Sequence, residues 1–395
     1  MMMKKAVQFG AGNIGRGFLG QLYFESGYET TFVDVIEPVV EGLKQRGEYP
    51  LRIVGELTQT LRIGNVTAVY AQDTARVAQA LAEADLASTA VGVSVLPKVA
   101  PAIAAGVAKR FEQPNAEPLN LIVCENLIGA GPFLREKVRD HLPERFHSFL
   151  DERVGFVETS IGRMVPVMTA EELAEDPLLV CVEPYCELPV DARGFRGPLP
   201  PLEHMEPRQN FAAYVERKLF VHNAGHATTA YLGYIRGHEY TWQAIEDPVI
   251  RREADAAIAE TCAGLVAKHG LDPRALDDHW SDLKRRFANR GLGDQVFRVA
   301  KDPIRKLGPN DRLIGAGLMC LAHGVTPAHV AFAAAAAIRY DHPDDAAAVS
   351  LRNILSEHGI RGVIERVCGI AWDSPFARLI EAQTDRLHRE GWLKH

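Results

Sequence analysis

The chain has 395 residues, 44 Lys+Arg against 51 Asp+Glu, and a formal charge of −7. A composition 47% hydrophobic and 24% charged excludes a disordered chain, and the length allows two domains. The acidic balance, six scattered cysteines without a CxxC pair, and the lack of a signal-like N-terminus or long apolar run lead us to expect a soluble cytoplasmic protein. Neither nucleic acid nor membrane is an expected partner.

In chain order, apolar runs at 5–9, 30–35, 66–71, 85–95, 119–124 and 154–161 predict strands buried on both faces. Amphipathic patterns at 14–26, 37–46, 74–84 and 98–110 predict helices between them, and strand–helix–strand order predicts a parallel sheet. Prolines at 184, 189, 198, 200, 201 and 207 then mark a connection in which helix and inner strand are disfavoured. Beyond it the pattern is helical at 211–233, 247–269, 272–285, 313–323, 327–340, 346–357 and 359–367. The expected fold is α/β, with an N-terminal Rossmann-type parallel sheet domain (1–190) followed by a mainly α-helical C-terminal domain (191–395).

The first strand runs into Gly10-Ala11-Gly12-Asn13-Ile14-Gly15, and a helix follows. In such a turn the first glycine makes the bend, the second admits a pyrophosphate to the backbone, and the third lets helix and strand close. Asp34 ends the second strand 22 residues after Gly12, placed to accept from ribose hydroxyls and to repel a 2′-phosphate. The cofactor expected from this pattern is NAD.

The helical half opens on Lys218, Asn223 and His226. At about 100° per residue these fall within an arc of about 140° on one helix. A lysine with a lowered pKa can take a proton from a carbinol, an asparagine can donate to the developing alkoxide, and a histidine can orient that oxygen or a neighbouring hydroxyl. Gly237-His238-Glu239 resembles a zinc dehydrogenase tripeptide but lacks the following glycine and a cysteine partner, so no metal is expected.

Together the two motifs resemble the polyol-specific long-chain dehydrogenase/reductase family. The likeness extends over the run from Ala6 to Phe18, Ala90-Val91-Gly92, residues 99–104, Cys124-Glu125-Asn126, and Asp302-Pro303 through Asn310-Asp311-Arg312-Leu313. It implies a metal-independent, NAD-dependent enzyme with a small-molecule polyol or sugar-phosphate substrate, as a monomer or weak homodimer. By the same resemblance Lys218 is the general acid/base, Asn223 and Asn126 form an oxyanion hole, and His226 helps hold the substrate. The cofactor contacts implied are Ala6, Gly10, Ala11, Gly12, Asn13, Ile14, Gly15, Arg16, Gly17 and Asp34. The implied reaction interconverts mannitol 1-phosphate and fructose 6-phosphate. The alternatives are a free-polyol or uronate oxidoreductase and a non-catalytic NAD-sensing protein. The site is expected in a cleft between the domains. Arg305 and Lys306 are candidates for a phosphate. Two positions depart from the family: Gly162 stands where VDRI-x-P has its aspartate, and Leu188 follows Glu187 where an EWV-like segment is usual.

Overall fold

The computed structural model describes residues 3–114, 116–166 and 168–393. It divides into two units, Met1–Phe211 and Ala212–His395.

The first unit contains strands β1 (Lys4–Phe9), β2 (Tyr28–Asp34), β3 (Tyr49–Ile53), β4 (Gln59–Ile63), β5 (Val66–Tyr70), β6 (Leu86–Thr89), β7 (Leu119–Val123), β8 (Val154–Glu158), β9 (Val180–Val182), β10 (Leu188–Asp191) and β11 (Met205–Arg208). The main sheet runs β5-β2-β1-β6-β7-β8 with every pairing parallel. All five residues of β7 are buried, which is why its sequence is apolar except for Asn120, whose amide is satisfied by the Arg196 backbone at 3.1 and 2.8 Å. Val77, Leu81, Ile103, Val107 and Leu134, from helices Thr74–Glu83, Leu96–Phe111 and Ala130–Asp140, pack with Leu121 and Val123 in one core. Phe18, Leu22 and Tyr23 pack with Ala6, Ile122 and Val157 in another. The chain reverses its strand order at β1, so the glycine turn after β1 lies at the switch point where open α/β sheets bind ligands.

Three features differ from the sequence reading. The run 85–95 pairs only as far as Thr89, because Gly92 takes φ +91° and 93–95 form a 3₁₀ turn into the next helix. β3 and β4 form an antiparallel hairpin, and β9 joins β3 in parallel, giving a second sheet that the sequence did not announce. The boundary expected at 190/191 falls inside a pairing, because β10 bonds β11 and carries 188–208 with the first unit.

The second unit is helical. Helices Pro248–His269, Pro273–Phe287 and Pro303–Lys306 each start on proline behind a capping aspartate, Asp247, Asp272 or Asp302. Gly270 closes the first of them at φ +66°, its N–H bonding Val266 O. Every residue from Val330 to Ile338 in helix Ala328–Ile338 is buried, and small alanines let helices Ala224–Arg236, Pro248–His269 and Pro375–Arg389 pack around it. Segments 346–357 and 359–367 form one helical stretch, Ala346–Arg366, broken at Gly359.

Arg163 fixes the chain that leaves β8. Its buried guanidinium donates to Glu183 O at 2.8 and 3.0 Å, to Gly17 O at 3.1 Å and to Gln21 Oε1 at 2.7 Å. Arg163→Met removes these buried bonds, and we expect it to destabilise the first unit by about 2–4 kcal/mol. Far-UV circular dichroism should show the earlier transition. Tryptophan fluorescence should move less, because the tryptophans start at Trp242.

Candidate active site

The glycine turn is closed everywhere but one point. A Cβ on Gly10, which holds φ +90°, would lie 2.4 Å from Ala90 O, and one on Gly15 would lie 1.9 Å from Gly10 O. At Gly12 nothing lies within 4 Å, so the bare backbone faces open space beside exposed Asn13. The helix that follows starts as a π turn, Gly15–Leu19, in which Gly20 N–H bonds Gly15 O. Arg16 O is capped instead by the Tyr49 hydroxyl at 2.6 Å.

Asp34 serves the same turn. Its Oδ2 accepts from Ala11 N at 2.6 Å, and its Oδ1 accepts from Val35 and Ile36 N at 2.7 and 3.0 Å. Ala6, Arg16 and Gly17 lie in the interior rather than on the open side. Ala6 packs in the core, a Cβ on Gly17 would strike Val180, and Arg16 donates inward to Ala11 O (2.6 Å) and Leu178 O (2.5 Å). These three shape the turn from behind, and Gly12, Asn13 and Ile14 form its accessible edge.

Asn126 is exposed on a short loop after β7, also in the first unit. Carboxylates anchor both ends of that loop. Glu125 accepts from Val91 N and Gly92 N at 2.9 and 2.8 Å, and Glu158 accepts from Gly129 N at 2.8 Å. The sequence reading quoted Glu125 beside Asn126 without a role for it.

In the second unit Lys218, Asn223 and His226 occupy one helical run that is not uniform. Helix Phe211–Arg217 passes into a π turn, Lys218–Asn223, and then into helix Ala224–Arg236. Ala224 N–H reaches back five residues to Leu219 O. The expected 100° per residue does not hold across this turn, and the wider winding brings Asn223 closer to the direction of Lys218 than an α-helix would. Glu216 ties the start of the run to Lys268 and His269 at 2.7 and 2.8 Å, and Gly225 lets Trp280 press on the backbone.

Burial, reinforced by the charge of Arg312, pushes the Lys218 ammonium down to about 8. A lysine so placed exchanges a proton near neutral pH. His226 stacks on Phe287, with ring centroids 4.5 Å apart, and its Nε2 lies 3.0 Å from Asp294 Oδ2. Burial lowers its pKa, and Asp294 offsets part of that. Sequence reasoning missed Asp294, Phe287 and the effect of Arg312 on Lys218. Arg312 lies in a motif already quoted, whereas Asp294 is 68 residues from its histidine and carried no signal.

Arg305 and Lys306 are engaged elsewhere. Arg305 donates to Asp302 at 2.8 Å and Asp311 at 3.2 Å, and Lys306 is turned inward onto the carbonyls of Val299 and Lys301. His238 bonds Asp247 at 3.2 Å. Among the described residues no group of three or more His, Cys, Asp or Glu is arranged to hold a metal ion, and no helix is long and apolar enough to cross a membrane.

A glycine turn at the switch point of a parallel sheet and a lowered lysine on a separate helical unit define a dehydrogenase class. Two family models divide the chain as the structure does: the mannitol dehydrogenase Rossmann domain matches residues 4–204, and the mannitol dehydrogenase C-terminal domain matches residues 210–367. The chain belongs to the mannitol dehydrogenase family. It is 40% identical over 382 residues to the mannitol-1-phosphate 5-dehydrogenase of Brevibacillus brevis (strain 47 / JCM 6285 / NBRC 100599), covering 97% of this chain and 98% of that relative. Its fold matches Pseudomonas fluorescens mannitol 2-dehydrogenase in ternary complex with NAD and D-mannitol (TM-score 0.75, 17% identity, 99% of this chain and 93% of the other). It also matches substrate-free D-sorbitol dehydrogenase (TM-score 0.82, 15% identity, 98% and 93%).

Holding Lys218 charged in this setting opposes folding. Its folded pKa lies below its unfolded value of 10.5, so the cost is present in full below about pH 8 and is relieved as pH rises toward 10.5. Lys218→Met should therefore stabilise the second unit at neutral pH by about 1–3 kcal/mol, and the gain should vanish above about pH 10. Chemical denaturation across that pH range measures it.

Proposed function

We propose that this protein is an NAD-dependent, metal-independent dehydrogenase that interconverts mannitol 1-phosphate and fructose 6-phosphate. The depressed ammonium of Lys218, on the same run as Asn223 and His226, carries the reading. The 40% identity to a mannitol-1-phosphate 5-dehydrogenase supports the choice of substrate.

The glycine turn fits a dinucleotide. Gly12 leaves the backbone bare where a pyrophosphate must approach, and Asp34 stands at the end of β2 with its charge set against a 2′-phosphate. NAD, when bound, accepts the hydride. Lys218 in its neutral form takes the carbinol proton on Nζ as the hydride leaves, and in the reverse direction the ammonium returns it. The side-chain amide of Asn223 donates to the oxygen while it carries negative charge. His226 holds the substrate.

Oxidation needs neutral lysine, so kcat/KM for the polyol should rise with pH through about 8, and reduction of the ketose should fall over the same range. Following NADH absorbance with fructose 6-phosphate and, separately, fructose decides the substrate. Oxidation only with the phosphate ester is expected. Turnover of fructose alone would move the assignment to a free-polyol enzyme, and NADH binding without turnover of either would overturn the reading.

Asp34 bonds three backbone amides as well as facing the expected ribose position. Asp34→Ser should therefore weaken NADH binding about tenfold and also narrow its advantage over NADPH. Titration of both nucleotides by fluorescence tests it. A changed ratio with undiminished NADH affinity would remove the turn-holding role.

A further inference from the structure

We propose that Asp294 is a positioning residue for His226. It holds the ring with its hydrogen on Nε2, so that Nδ1 presents a lone pair to a substrate hydroxyl beside the reacting carbon. The inference rests on the dehydrogenase reading above and assigns His226 to a hydroxyl donor rather than to the oxygen that becomes the carbonyl.

Asp294 is a rigid acceptor. Its backbone carbonyl takes both Thr241 N (2.8 Å) and Thr241 Oγ1 (3.0 Å), which fixes it to helix Thr241–Glu246. Its Oδ1 is claimed by Arg298, Nε at 2.7 Å and a terminal nitrogen at 2.5 Å. Its Oδ2 is left for His226 Nε2 at 3.0 Å. Burial raises the pKa of this carboxyl, but the bonds from His226 and the charge of Arg298 outweigh it and keep it ionised. An ionised carboxylate only accepts, so the hydrogen of a neutral His226 sits on Nε2. Burial is also the main reason why His226 is neutral. Arg298 and Lys306 add to that, and buried His222, 6.3 Å away between ring centroids, has its own pKa lowered well below the usual value, first by burial.

Stacking on Phe287 fixes the ring plane, and Nδ1 makes no hydrogen bond among the described residues. A neutral Nδ1 can accept from a hydroxyl but cannot donate to a carbonyl or alkoxide. The reacting oxygen gives its proton to neutral Lys218 in oxidation and takes one from the ammonium in reduction, and while it carries negative charge it needs a donor such as the Asn223 amide, a role that an Nδ1 lone pair cannot fill. The substrate class that satisfies Nδ1 is a polyol with a free hydroxyl next to the carbon that is oxidised.

The test is Asp294→Asn. Arg298 still demands an acceptor, so the amide oxygen takes the Oδ1 place and the NH₂ faces Nε2, which drives the ring hydrogen to Nδ1. Long-range ¹⁵N–¹H spectra should show hydrogen on Nε2 in the wild type and on Nδ1 in D294N. Asp294→Glu, which keeps a carboxylate, should restore the wild-type pattern. With polyol substrate, kcat/KM should fall about tenfold or more, chiefly through KM, while NADH affinity is unchanged. In a His226→Ala background the same substitution should change kcat/KM by less than about twofold. A wild-type hydrogen on Nδ1, or an equal loss with and without His226, overturns the proposal. If the wild type turns over no polyol or ketose at all, the dehydrogenase reading and the substrate role fail together. The spectra then still decide whether Asp294 sets the tautomer, so the two failures are told apart.

Discussion

A helical turn that closes over five residues instead of four is expensive, because it widens the backbone and leaves a carbonyl without its helical partner. Among the described residues such a turn occurs in two places, Gly15–Leu19 and Lys218–Asn223, and these are the segments on which the proposed cofactor and substrate chemistry rests. In the first, the wide turn follows the contact between Gly10 and Gly15, which admits no side chain on either residue. The Tyr49 hydroxyl caps Arg16 O, so a residue of the second sheet completes a helix packed on the first. In the second, the wide turn places Lys218 and Asn223 at its two ends. The rest of each unit can be read as what holds its turn in that shape: β9 and Tyr49 around one, Glu216 and Trp280 around the other.

Electrostatics in the second unit follow from one asymmetry. Burial lowers Lys218, His222, His226 and Lys306 alike, with Lys306 brought down to about 7, and for Lys218 and Lys306 the nearby Arg312 acts in the same direction. Arg305 and Lys306, read from sequence as candidates for a phosphate, are engaged within the fold. Arg305 and Arg312 converge on Asp311, and Lys306 points at backbone carbonyls. What the run 305–312 supplies to Lys218 is positive potential with its own charges already satisfied, which lowers the lysine without competing for an anion. A phosphate on the substrate must then be met by other cations.

The sequence made the first sheet legible because β1 from Ala6 on, β6, β7 and most of β8 are buried, and their stretches are predominantly apolar without strict alternation. β3 was hidden by the opposite property: it alternates buried and half-buried residues over five positions and contains Pro50, so neither a continuous run nor a long alternation marks it. Helix Ala130–Asp140 was missed because Gly131 and Pro132 stand in its first turn and read as a loop, although proline is tolerated in a first turn. At the candidate site, Gly10, Gly12, Gly15 and Asp34 could be proposed from sequence because spacing along a single strand–turn–helix carries them. Lys218, Asn223 and His226 could be proposed for the same reason, with their angular relation misjudged because a π turn leaves no mark in residue type. Asp294 and the inward course of Arg16 were not legible, since both depend on contacts between residues far apart in sequence.

The departure at Gly162 has a local structural account. The arginine that follows it is kept, and its five hydrogen-bonding contacts with Glu183, Gly17, Gln21 and Cys186 fix the path of the chain whatever precedes it. A Cβ at 162 would come within 3.3 Å of the Tyr185 ring, whose hydroxyl donates to Glu187 at 3.0 Å. A side chain there would require that ring to give by a few tenths of an ångström. Glycine at 162 and tyrosine at 185 are thus one arrangement, in which an aromatic edge and a carboxylate two residues on occupy the side that the family's aspartate would claim. Because Glu187 leads directly into β10, the second departure, Leu188, belongs to the same arrangement: it is fully buried and its N–H is bonded to His204 O, so it anchors the segment that carries Tyr185 and Glu187. The two departures change the lining of the first unit together, and they leave the glycine turn and the Lys218 run as they are.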